Sequence, residues 1–132
     1  MQKAILIKPS LKRQVPTEEE RMRAKELYGK LKTILKKLEV RLEELEAEKK
    51  GEFVLDKADI IVIHSKNSDM IDKINFDRLP KLKGVIVVDP SKEHANKIAD
   101  VKVPKMLIGS SNIALKDLEY EITMFVKKIL SA

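Results

Sequence analysis

The 132-residue chain contains no cysteine. Disulfides, thiolate nucleophiles and cysteine-based zinc centres are therefore excluded. Its two histidines, His64 and His94, form neither HxxxH nor HExxH, so no metal site is expected. Its glycines, Gly29, Gly51, Gly84 and Gly109, stand singly. Neither GxGxxG nor a Walker-type GxxxxGK[ST] loop can be built from them. Aromatic residues make up only 4% of the chain, and none of Tyr28, Phe53, Phe76, Tyr120 and Phe125 shares a basic cluster with a second one. That weakens the case for nucleic acid, because single-strand binders stack bases on aromatics set among cations. No apolar run approaches the roughly 18–20 residues of a membrane span. Met1 leads directly into a strand-like run, so the sequence is read as carrying no signal peptide and the expected location is cytoplasmic.

What remains is a folding chain. It is 43% hydrophobic and 36% charged, with a net charge of +6. One domain over residues 1–132 is expected at this length. Residues 1–50 hold 14 Lys and Arg against 9 Asp and Glu, and residues 51–132 hold 13 against 12. The basic excess thus lies in the N-terminal portion, where it favours acidic partners only weakly because exposed charges are screened within about 10 Å. The Lys- and Glu-rich, cysteine-free composition resembles that of thermophile proteins.

Lys3–Lys8 is a short apolar run closed by Pro9-Ser10, a buried strand. Thr17 and Glu20 form a capping box, and apolar residues then recur at helical spacing to about Lys37. The next stretch reads two ways. Leu38, Val40 and Leu42 alternate with Glu39, Arg41 and Glu43, as in a strand. Ala24, Tyr28, Leu31, Leu35, Leu38, Leu42 and Leu45 also make heptad spacing, as in one helix over residues 17–50. Such a helix would be roughly 50 Å long, far beyond a strand of about 17–20 Å. It would need another chain, as in a homodimer, or a protruding arm, to cover its seam. The strand is the preferred reading; the absence of Gly, Pro, Asn and Asp between Lys30 and Lys50 is the argument for the helix.

Beyond Gly51 the pattern is regular. A short helical turn is expected over residues 52–57 and a β-branched strand over 58–64. Asn67 or Ser68 caps a helix carrying Met70, Ile71 and Ile74, and residues 83–89 form the next strand. Asp89-Pro90 offers a cap with proline at the first helical position, followed by Ala95, Ile98 and Ala99 on one face. A last strand falls at 103–108. Ser111 or Asn112 opens a final helix with Leu118, Ile122, Phe125, Val126 and Ile129 on one stripe. Alternating strands and helices indicate a three-layer α/β sandwich around a mostly parallel sheet. Five strands in the order 2-1-3-4-5 are expected, an architecture that resembles the flavodoxin-like arrangement. The first strand is followed by Pro9-Ser10-Leu11-Lys12-Arg13-Gln14, which has no glycine, so no flavin and no other cofactor is expected.

In open parallel sheets ligands bind beyond the carboxyl ends of the strands. That rule gathers Lys8, Ser10 and Lys12, then His64 and Lys66, then Asp89, then Ser110, Ser111 and Asn112. Gly109-Ser110-Ser111-Asn112 supplies a close-approach glycine, hydroxyl and amide groups, and the start of a helix. With the lysines it would suit a small anion or a nucleotide. His64 and Asp89 would orient that ligand. A triad of His64, Asp89 and Ser110 is less favoured, because no GxSxG elbow surrounds Ser110, and no catalytic residue is assigned. The expected function is a non-catalytic binding or regulatory module. The alternatives are a nucleic-acid-associated protein using the basic N-terminal portion, and a hydrolase or transferase acting on a phosphorylated or nucleoside-like substrate. No membrane partner is expected.

Overall fold

Five strands lie side by side, every pair of neighbours parallel, in the order β2-β1-β3-β4-β5. The structure is a computed structural model and describes residues 2–8, 18–46, 55–64, 68–109 and 115–131. The strands are β1 (Lys3–Lys8), β2 (Arg41–Glu46), β3 (Ile60–His64), β4 (Gly84–Val88) and β5 (Lys105–Ile108). The helices are α1 (Glu18–Lys37), α2 (Ser68–Lys73), α3 (Lys92–Ala99) and α4 (Leu115–Leu130), with a short 3-10 turn at Phe76–Arg78. The expected three-layer α/β architecture is the one observed. The Thr17 capping box lies outside the described residues, as do residues 52–54 of the expected turn.

The side-chain alternation of the strands sorts the core into two halves. Ala4, Leu6, Ile60, Val62, Ile86, Val88 and Ile108 face α1 and α4. Ile5, Ile7, Ile61, Ile63, Val85 and Val87 face the other layer, where Ile71 of α2, Phe76 and Ile98 of α3 cover them. Every residue of β3 and β4 is buried, which is why these strands read as unbroken apolar runs. The amino edge of the sheet is tied by backbone bonds around Asp59. Its amide donates to Lys3 O at 2.8 Å, its carboxylate accepts from Lys3 N at 2.8 Å, and its carbonyl accepts from Lys83 N at 2.7 Å.

The ambiguous stretch resolves as helix, turn and strand. α1 ends at Lys37, and β2 begins at Arg41. Glu39 adopts φ 59, its amide donates to Lys36 O, and the Val40 amide donates to Leu35 O at 2.9 Å. This is a Schellman stop, sealed by buried Val40 and Leu35. Glutamate here does the work usually given to glycine, which explains a helix end with no breaker residue in the sequence. The long-helix alternative is thereby excluded. Glu39→Gly relieves the left-handed strain and should stabilise the protein by about 0.5–1 kcal/mol, read as a higher urea midpoint at unchanged slope.

Two local expectations are corrected. The cap of α3 is Ser91, whose hydroxyl accepts from the His94 amide at 3.1 Å, and not Asp89-Pro90. Asp89 is held in the left-handed region at φ 49 while its amide extends the ladder to Ile108 O at 2.6 Å. That conformation points the chain away from the helix start, so Pro90 precedes the cap. The buried stripe of α3 also runs through His94 and Ile98, with Ala99 exposed. Moving the cap to Ser91 sets the phase of the helix that brings His94 inward.

Candidate functional site

The order 2-1-3-4-5 reverses direction between β1 and β3. From β1 the chain crosses to β2 on one side; from β3 it proceeds through β4 and β5 on the other. In sheets of this order ligands bind at such a switch, beyond the carboxyl ends of the strands; the residues that follow β1 and β3 lie outside the described ones. Lys8 ends β1 and His64 ends β3, and the register pairs the residues before them, Ile7 with Ile63. His64 follows Ile60 and Val62 on the face covered by α1 and α4. Its side chain is 6% exposed.

Asp89 is the residue after β4, which is paired in register with β3 at His64↔Val88. By strict alternation it would share the face of Val85 and Val87, opposite to His64. Its left-handed backbone breaks the alternation at the strand end. Aspartate tolerates that region better than most residues. The result is a contact: Asp89 Oδ2 lies 3.4 Å from His64 Nε2. At that length the interaction is chiefly electrostatic. The Asp89 side chain remains 36% exposed while its partner is enclosed, so the carboxylate is the half of the pair open to the surface.

Tyr28 packs over the same face of the sheet. It sits on α1 with its ring packed partly against the core. Its hydroxyl oxygen is closed off from solvent and has no hydrogen-bond partner. Burial pushes the phenol above its ordinary pKa, and the nearby negative charge of Asp89 pushes it further the same way. The group therefore stays protonated, a donor over the whole physiological range. A buried hydroxyl without a partner is uncommon in folded proteins and costs about 1–3 kcal/mol.

Of the residues that the sequence gathers at the strand ends, the structure brings His64 and Asp89 together. Lys8 is placed by its backbone at the end of β1. Ser10, Lys12, Lys66, Ser110, Ser111 and Asn112 lie outside the described residues, and so does the serine of the triad. Tyr28 was missed by sequence reasoning, since its position fits a helix seam as well as a site. Among the described residues no group of three His, Asp or Glu could hold a metal ion, and no helix is long and apolar enough to cross a membrane. Asp72 and Asp77, two acids of the second layer, have structural partners. Asp72 pairs with Lys97 at 2.9 Å, which lowers its pKa. Asp77 accepts from the amides of Lys102 and Val103.

The amino half of the molecule carries its own charges differently. Lys32 pairs with Glu44, Lys3 with Glu43, and Lys30 reaches Glu119 of α4 at 3.3 Å. An open groove of about 950 Å³ runs between α1 and β2, lined by Lys32, Lys36 and Arg41 together with Glu39 and Glu44. The acids offset most of its positive charge. Compared with protein families, curated proteins and solved structures, the chain matches none.

Proposed function

We propose that this chain is a non-catalytic binding module that takes a small anionic molecule beyond the carboxyl ends of its strands. The observation that carries the reading is the pairing of His64 with Asp89 at 3.4 Å, at the carboxyl ends of β3 and β4. Two polar side chains from separate strands converge at the one edge of the sheet where this architecture leaves room for a ligand. A left-handed residue is used to bring them together, and such backbone departures gather at functional sites. The opposite edge is closed by backbone hydrogen bonds around Asp59. Ser10, Ser110, Ser111 and Asn112 would donate to the anion, and Lys8, Lys12 and Lys66 would supply charge. The same His–Asp pair supports a second reading, a hydrolase or transferase with His64 as base and Asp89 as its orienting acid; turnover of the bound molecule separates the two.

The test is a titration of the whole chain with inorganic phosphate, followed by amide chemical shifts. Shifts should concentrate at Lys8, His64, Asp89 and Gly109 and spare Lys3, Asp59 and Lys83. Ser110→Ala combined with Ser111→Ala should weaken binding about tenfold or more, the worth of hydrogen bonds to a charged group. No saturable response, or shifts spread over both edges, overturns the proposal.

A further inference from the structure

We infer that two copies of this chain pair through β5, joining their five-stranded sheets edge to edge, with α4 of one copy packed against α4 of the other across a two-fold axis. The inference concerns the lateral edge of the sheet and stands apart from the binding reading above.

The sheet ends in two unlike strands. β2 at one side carries Arg41, Glu43, Glu44 and Glu46, charges of the kind that keep an open edge from pairing with another chain. β5 at the other side has one charged residue, Lys105, and its ammonium group is already engaged at the end of α3, donating to Ala99 O at 3.0 Å and Val101 O at 2.6 Å. Met106, Leu107 and Ile108 follow, and Leu107 is 43% exposed. The carbonyls of Pro104 and Ile108 accept from the amides of Val85 and Asp89. The alternate residues, Lys105, Leu107 and Gly109, therefore turn their amides and carbonyls outward. A second β5 laid antiparallel about Leu107 sets Leu107 opposite itself and Lys105 opposite Gly109, in hydrogen-bonded pairs. The space beside Gly109 is open.

So short a strand makes few bonds, and α4 supplies the rest of the contact. Lys30 of α1 reaches Glu119, which fixes the flank of α4 that faces α1. Asp117, Glu121, Phe125 and Lys128 lie on the opposite flank, toward β5, at helical spacings of four, four and three. Met124, 50% exposed, adjoins them. The acids stand near the start of this flank and the lysine near its end. Among the described residues none of these three charges has an ion-pair partner. Two such helices run antiparallel across the axis, so that each Glu121 meets the partner's Lys128 while Met124 meets the partner's Phe125. A face whose charges complement its own copy when reversed selects that copy over an unlike strand.

Analytical ultracentrifugation of the whole chain over a range of concentrations tests this, and a reversible dimer is expected. Leu107→Lys sets two ammonium groups opposite each other and should weaken the dimer about tenfold or more. Glu121→Lys and Lys128→Glu should each weaken it about tenfold, since every exchange turns two symmetric attractions into repulsions. The double exchange should restore the parent affinity to within about threefold, a recovery that damage to the fold would not produce. Arg41→Glu, on the guarded edge, should change nothing. A chain that stays monomeric at millimolar concentration overturns the proposal and leaves β5 to a strand of a different protein. A dimer that withstands Leu107→Lys, or that Arg41→Glu dissociates, overturns the assignment to β5. A double exchange that fails to restore the dimer overturns the contact between the helices.

Discussion

Gly84→Ala lowers the unfolding free energy by about 1–3 kcal/mol, the range for overfilling a packed core. Gly84 opens β4 on the face covered by α4. A Cβ built there would stand 2.5 Å from Ile129 Cδ1 and 3.4 Å from Phe125 Cζ. Ile129 is 3% exposed and belongs to the core layer between the sheet and α4, so its terminal methyl cannot swing into solvent. Either the isoleucine leaves its rotamer or α4 lifts from the sheet. Ile129→Val removes the very methyl that clashes and on its own costs about 0.5–1.5 kcal/mol. In Gly84→Ala, Ile129→Val the cavity and the clash cancel. The double variant should be more stable than the sum of the single effects by at least about 0.5–1 kcal/mol, as expected for residues in contact. Denaturant unfolding of the four proteins measures this directly; simple additivity would show that the helix, and not the methyl, takes up the strain. The result reaches the site as well, because β4 runs from Gly84 straight to the turn that presents Asp89.

The sheet order was legible because two signals agreed. Strands buried on both faces leave continuous β-branched runs, as in Ile60-Ile61-Val62-Ile63, and helices leave stripes, as in Leu118, Ile122, Val126 and Ile129. Where the sequence misled, a residue occupied a backbone conformation that its type does not announce. Glu39 stops α1 at φ 59, where a glycine would have marked the break, and Asp89-Pro90 resembles a helix start while Asp89 in fact turns at φ 49. Left-handed glutamate and aspartate are set by the bonds around them, the Val40 to Leu35 bond in one case and the Asp89 to Ile108 bond in the other. Those bonds depend on tertiary packing that periodicity does not encode. The site shows the same limit. His64 and Asp89 could be placed at strand ends by the ligand-binding rule for parallel sheets, since strand ends are visible in the sequence. Tyr28 could not. Helical spacing puts it on the buried stripe of α1, where a tyrosine and a leucine look alike. Only its enclosed and unpartnered oxygen separates it from the core.

That enclosed hydroxyl leads to an expected gain in stability. Tyr28→Phe keeps the ring and removes an oxygen that the fold buries without compensation, so it should raise the stability of the unliganded protein by about 1 kcal/mol. The gain should grow in alkali. The unfolded phenol ionises near its ordinary pKa of 10.0, whereas in the folded chain burial and the Asp89 charge hold the proton on to higher pH. Above pH 10 the native state therefore binds more protons than the unfolded state, and its stability falls as the pH rises. Below pH 10 both states keep the proton and this source of pH dependence vanishes. The phenylalanine variant lacks the titrating group, so its advantage over the unaltered protein should widen between about pH 8 and about pH 11. Paired urea titrations at the two pH values read both effects. A variant less stable than the parent at neutral pH would mean that the hydroxyl is satisfied in the folded chain.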